Sequence, residues 1–285
     1  MDVRKLLHKI ESEAKERLPV VPASVSQLLK VLGDADVGLA DLSRVVENYP
    51  TIAMRLIGLA NSAWSAPATP VTSLTLACGR LGFRVVRSVS IALAVAEPFN
   101  AALCKRFDNR KFWTTSLVRA DAASLLADRE TRETRESART AALLSNMGLL
   151  WLADYMPRET ADALADVDDG RQASVNAATL DRCGFGYDIA GTAIATYWKL
   201  PSVLVSAIQH QYDTDGLEQL DAVSRQVMGA VQMSHALSLG MEQLDPDSGV
   251  MPWLRQQWPN IDRIYADIRA SADDTAEVAA ALFGD

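Results

Sequence analysis

Histidine is nearly absent from this chain. Its 285 residues hold three, His8, His210 and His235, and these stand far apart. No HExxH helix and no local His-containing triad can be assembled from them, and no GxSxG supplies a nucleophile elbow. Cysteine is equally scarce: Cys78, Cys104 and Cys183 are odd in number, widely spaced and without a CxxC pair. Their simplest reading is buried, reduced thiols in a cytoplasmic protein. Long apolar runs are missing too. The longest, Val89 to Ala96 with one serine, is far short of the roughly 20 residues that span a bilayer. The opening stretch, Met1 to Ile10, is charged and lacks the apolar core of a secretion signal. A soluble, intracellular protein with no membrane partner is expected. Basic residues are outnumbered as well: 28 Lys and Arg face 36 Asp and Glu, a net charge of -8. Gripping nucleic acid requires clustered cations against phosphate, so nucleic acid is not an expected partner. Gly184-Phe185-Gly186 lacks the third glycine of dinucleotide-binding spacing and reads as a turn between helices.

What the chain has in quantity is helical periodicity. Hydrophobic residues make up 49%, enough for a continuous core. Apolar positions recur with helical spacing almost throughout, and no alternating strand or Asn-Gly hairpin interrupts them, which predicts an all-α protein. An amphipathic helix is expected over 2–17, with Leu6, Leu7 and Ile10 on one face. Leu18-Pro19-Val20-Val21-Pro22 forms an extended break, because each proline biases its predecessor away from helix. Ser24 then caps a helix ending at Gly33. Further helices are expected from Leu39 to Val46, from Thr51 to about Asn61, from Thr72 or Ser73 to Leu81, and from Phe83 to Glu97, with Gly82 as the breaker. The second half predicts helices over 110–128, 137–154, 158–166, 172–183, 187–198 and 201–212. Residues 128–139 read as a charged connection with Arg129–Glu133 and Arg132–Glu136 pairs. From Asp213 the character turns more polar and acidic, with helices near 218–240 and 260–282. The boundary is set at 213–217.

Several short motifs recur in an order that carries a resemblance. They are Leu18-Pro19-Val20-Val21-Pro22, Asp34-Ala35-Asp36, Asn48-Tyr49-Pro50, Leu59-Ala60-Asn61-Ser62-Ala63, and Ser73 with Leu81-Gly82. In the second half come Phe112-Trp113-Thr114-Thr115-Ser116-Leu117, then Leu143 to Gly148. Gly191, Trp198-Lys199-Leu200-Pro201 and Ala207-Ile208-Gln209-His210 complete the series. Together they resemble the HDOD family, an output domain related to the metal-dependent HD phosphohydrolases. The resemblance implies an all-α multi-helix bundle over 1–213, with an N-terminal half at 15–98 and a degenerate HD-like half at 99–212. A C-terminal helical extension would occupy 214–285.

The resemblance also implies where a metal site would stand. The leading metal histidine falls on Thr115, the adjacent His-Asp pair on Ser145 and Asn146, and of the later histidines His210 remains. A hydroxyl and an amide offer a divalent ion neither a full charge nor a nitrogen donor. The expectation is a non-enzymatic bacterial regulatory scaffold that binds signalling proteins, with no cofactor. Two alternatives stand beside it: a phosphohydrolase with a rearranged metal site, and a nucleotide-binding sensor without hydrolysis.

Other residues invite a binding role. Arg80, Arg84 and Arg87 recur at i, i+4 and i+7 and would make a basic stripe for an anion or partner if the helix ran through Gly82. The competing reading pairs them with surplus surface carboxylates. Trp64, on a loop ending in prolines, is either tucked onto the core or offered to a partner. Trp253 and Trp258 would dock the C-terminal extension.

Overall fold

Many of the helices begin where the sequence supplies a capping oxygen or a proline. The computed structural model describes residue 31, residues 37–245 and residues 249–283. Among these described residues all regular structure is helical, and no helix is long and apolar enough to cross a membrane. The helix expected over 2–17, the break after it and, apart from residue 31, the helix from Ser24 to Gly33 lie outside the described residues. α1 (Leu39–Val46) leads into α2 (Pro50–Ala60), where proline sits in the first turn and its missing N–H leaves no bond unmade. Asn61 ends α2. Its amide donates to Ile57 O and Val71 O and accepts from Val71 N–H, which clamps the following loop. Ser73 caps α3 (Leu74–Ala96) by accepting from Leu76 N–H. Gly82, at φ 77° and ψ 161°, kinks α3 in a backbone region that side-chain-bearing residues resist.

Asp108 caps α4 (Asn109–Leu126) and Thr131 caps α5 (Arg132–Leu144). Here the structure departs from the sequence reading twice. The charged connection is mostly helix, and its charges pair elsewhere: Glu136 with Arg87, and Arg135 with Asp128. The continuous helix expected over 137–154 is broken, because α6 (Met147–Tyr155) starts afresh after Ser145 and Asn146. The reason is a long-range contact. Gln211 donates to Ser145 O at 2.8 Å, while Ser145 Oγ turns back on Ala142 O.

α7 (Pro157–Asp168), α8 (Val175–Cys183), α9 (Tyr187–Tyr197) and α10 (Ser202–Gln209) follow, with Gly184 in the left-handed region turning α8 toward α9. α6 and α9 touch backbone to backbone. A Cβ on Gly148 would stand 1.9 Å from Tyr187 O and 2.4 Å from Gly191 N, so only glycine permits the approach.

The residues after 213 form α11 (Ala222–Ser238), α12 (Met251–Gln257), α13 (Ile261–Ala270) and α14 (Ala272–Phe283), with a break at Ser271 where one helix was expected. α11, α12 and α13 build a second core with the back of α4 (Val118, Ala122, Leu126), α5 (Ala138, Ala141) and α10 (Leu204, Ala207), whereas α14 buries Val278, Ala279 and Leu282 in the first. The front of α4 faces the first core through Phe112, Trp113 and Leu117. Trp258 donates to Leu126 O at 2.8 Å and so ties the C-terminal helices to α4, whereas Trp253 bonds Glu218 within the later segment. At the end of α14, Phe283 stacks on Trp113 with centroids 4.4 Å apart, and Arg55 donates to Leu282 O. Cys78, Cys104 and Cys183 are free and buried. Burial raises all three thiols, Cys183 to about 11, and suppresses thiolate chemistry.

Candidate functional site

One turn beyond Thr115 on α4 stands Arg119, buried at the junction of four elements. Its Nη1 donates to Ser145 Oγ at 2.9 Å, at the break between α5 and α6. Its Nη2 donates to Tyr187 OH at 3.1 Å and to Tyr212 OH at 3.5 Å, and its Nε donates to Ser234 Oγ of α11 at 2.9 Å. The hydroxyls of Tyr187 and Tyr212 are also hydrogen-bonded to each other. Burial by itself would lower the Arg119 value. The two tyrosine hydroxyls outweigh it and hold the guanidinium firmly charged. Burial also raises Tyr212 well above the usual phenol range, so its ring stays neutral.

The degenerate positions behave differently from one another. Ser145 is fully buried and accepts from Arg119. Asn146 Oδ1 lies 3.0 Å from Ser116 Oγ. Thr115 Oγ1 donates to Lys111 O of its own helix. His210 pairs with Asp213 at 2.6 Å, and its neighbour Gln211 supplies the contact to Ser145. Thr115, Asn146, Arg119 and Tyr187 share one cavity of about 410 Å³. Its walls are apolar (Phe107, Phe112, Leu149, Leu164, Val175), and Arg106, Lys111, Asp108 and Asp168 stand among its polar lining. His210 is not among the cavity's lining residues. Among the described residues no group of three or more His, Cys, Asp and Glu could hold a metal ion.

The three arginines of the expected stripe are not brought together. Arg80 donates to Ser65 Oγ at 2.6 Å and also to Ser65 O, which fixes the Trp64 loop. Arg84 is exposed, and Arg87 is buried against Glu136 and Thr140. The Gly82 kink lies between Arg80 and the other two, so the run does not follow one straight helix face. Trp64 is half-buried against the first core and lines a separate groove of about 270 Å³ with Arg84, Asp121, Arg139 and Thr275.

The sequence alone does not single out Arg119, Tyr187, Tyr212 or Ser234. A single signal pointed to one of them: Arg119 follows Thr115 at i,i+4, on the same helix face. Ser234 carried none, since it lies in the C-terminal extension, beyond the expected site.

A sequence model of the HDOD domain matches residues 18–214. Comparison with the curated proteins finds no match. Among solved structures, the chain is similar to an HDOD domain protein of unknown function from Geobacter sulfurreducens, at 22% identity and a TM-score of 0.72, covering 99% of each chain. A protein from Shewanella amazonensis with the provisional name of phosphohydrolase matches at 26% identity and a TM-score of 0.69, covering 97% of each. A third, provisionally named a signal transduction protein, comes from Marinobacter aquaeolei. It shares 19% identity at a TM-score of 0.76, and the match covers 99% of this chain and 61% of that one.

Proposed function

Because the chain belongs to the HDOD domain family, we propose that it is a non-enzymatic bacterial signal-transduction protein, a scaffold that binds other signalling proteins. The Arg119 guanidinium, 2.9 Å from Ser145 Oγ, carries this reading. The related HD phosphohydrolases would set a His-Asp pair against a divalent ion at the Ser145 and Asn146 positions. Here Thr115, Ser145 and Asn146 offer neutral oxygens already engaged in the protein's own bonds. A fixed positive charge beside Ser145 further opposes a second cation in a low-dielectric interior. The residues present therefore do not fit a divalent metal, and no chemical step follows from one.

The body at 1–213 would be the platform, with residues 214–285 as an integral brace. A cytoplasmic location is part of the proposal and rests on the free, buried thiols. The test is metal content after purification without chelator, together with turnover of phosphodiesters and nucleotides. No stoichiometric metal and no turnover supports the scaffold. Stoichiometric metal with turnover abolished by chelation overturns it. Cross-linking of the intact chain to its neighbours in the native cytosol would then name the partner.

A further inference from the structure

The centre around Arg119 has donors to spare and no anion. A guanidinium carries five N–H groups, and a neutral phenol one O–H. Four of the arginine's N–H groups are engaged, which leaves one on Nη1. One tyrosine proton is used between Tyr187 and Tyr212, which leaves the other hydroxyl's proton unassigned. The four acceptors around the guanidinium are hydroxyls, and no carboxylate among the described residues bonds it. Neutral acceptors solvate a buried cation but leave its charge uncancelled.

Arg119 and Tyr187 both line the 410 Å³ cavity. Phe107 and Phe112, with ring centroids 5.2 Å apart, form part of its apolar wall. Lys111 and Arg106 on its lining are more than half exposed and share Asp168 only loosely, at 3.9 and 3.6 Å. A positive floor, an aromatic wall and an edge where Lys111 and Arg106 stand beside Asp108 and Asp168 suit a ligand with an acidic head seated on the floor and an apolar body. We propose that this cavity binds a small organic anion, its carboxylate or phosphate on Arg119 and Tyr187 and its body against Phe107 and Phe112. The site goes beyond the protein-binding reading and stands whether or not that reading holds.

Calorimetric titration of the full chain tests it, with benzoate, phenyl phosphate, inorganic phosphate and benzyl alcohol as probes. Benzoate or phenyl phosphate is expected to bind once per chain, and whichever binds tighter identifies the acidic group. Inorganic phosphate, which lacks the body, and benzyl alcohol, which lacks the charge, should each bind at least about tenfold more weakly. Arg119→Gln keeps donors but removes the charge and should weaken binding about tenfold or more. Lys111→Glu, on the exposed edge, should weaken it about threefold without disturbing the fold. Should Arg119→Gln fail to fold, Val175→Trp, which fills the cavity from its wall, takes its place and should abolish binding. No binding by either aromatic anion tighter than about 1 mM overturns the proposal. So does binding that survives Val175→Trp unchanged.

Discussion

Gly148→Ala is the sharpest probe of how α6 meets α9. The added methyl would lie 1.9 Å from Tyr187 O and 2.4 Å from Gly191 N, both backbone atoms that no side-chain rotation can move. An ordinary contact of 3.4 Å requires the two helices to part by roughly 1.5 Å, deep in a close-packed core. Overpacking of this kind costs about 3 kcal/mol, at the upper end of its usual range because the obstacle is backbone. Separation would also draw Tyr187 away from Arg119, 3.1 Å distant, and strip the guanidinium of an acceptor. Urea unfolding followed by circular dichroism gives the free-energy loss, and in a thermal melt of the same protein the midpoint is expected to fall by about 6–10 °C. Gly58→Ala is the internal control. That glycine is exposed in α2, and a methyl added there would meet nothing within 4 Å, so the change should stabilise by about 1 kcal/mol through helix propensity. A loss below about 1 kcal/mol for Gly148→Ala would refute the close approach.

Four further outcomes can be checked by equilibrium unfolding. Glu136→Ala removes the carboxylate that pairs with the buried Arg87 and should cost about 3 kcal/mol. Glu133→Ala, exposed on the same helix, should stay within about 0.5 kcal/mol. Hydrogen bonds from Arg182 and Arg171 hold the Asp166 carboxyl down at about 2, against an ordinary 3.8. A depressed carboxylate stabilises the fold fully above its unfolded value, and that contribution is lost as pH falls from near 4 through 2. Asp166→Asn should flatten this acid limb of the urea midpoint; an unchanged limb would place the effect elsewhere. Trp258→Phe removes the bond to Leu126 O and should destabilise by about 1 kcal/mol, a loss absent if the ring alone holds the C-terminal helices.

Local signals made most helices legible in the sequence. Ser73 caps as its position before an apolar run implies, and Gly82 kinks where the periodicity falters. The break at Ser145 and Asn146 was not legible, because an apolar run around two small polar residues reads as continuous helix. What breaks it is Gln211, 66 positions away, taking the Ser145 carbonyl. The centre was half legible for the same reason. Motif order located Thr115, Ser145 and Asn146, but the partners of Arg119 lie 26, 68, 93 and 115 positions from it. No local pattern encodes contacts of that span. Arg80, Arg84 and Arg87 would share a stripe only on a continuous helix, and Gly82, read as a breaker from the sequence, has a non-helical backbone.

The hydroxyl that Ser234 presents to Arg119 belongs to a helix well past the matched family region, yet it completes the innermost polar cluster of the body. Lifting α11 even slightly would leave Nε bare and loosen the grip on Tyr187 and Tyr212. A displacement of the last quarter of the polypeptide would therefore reach the cavity lining through the single bond at Arg119 Nε.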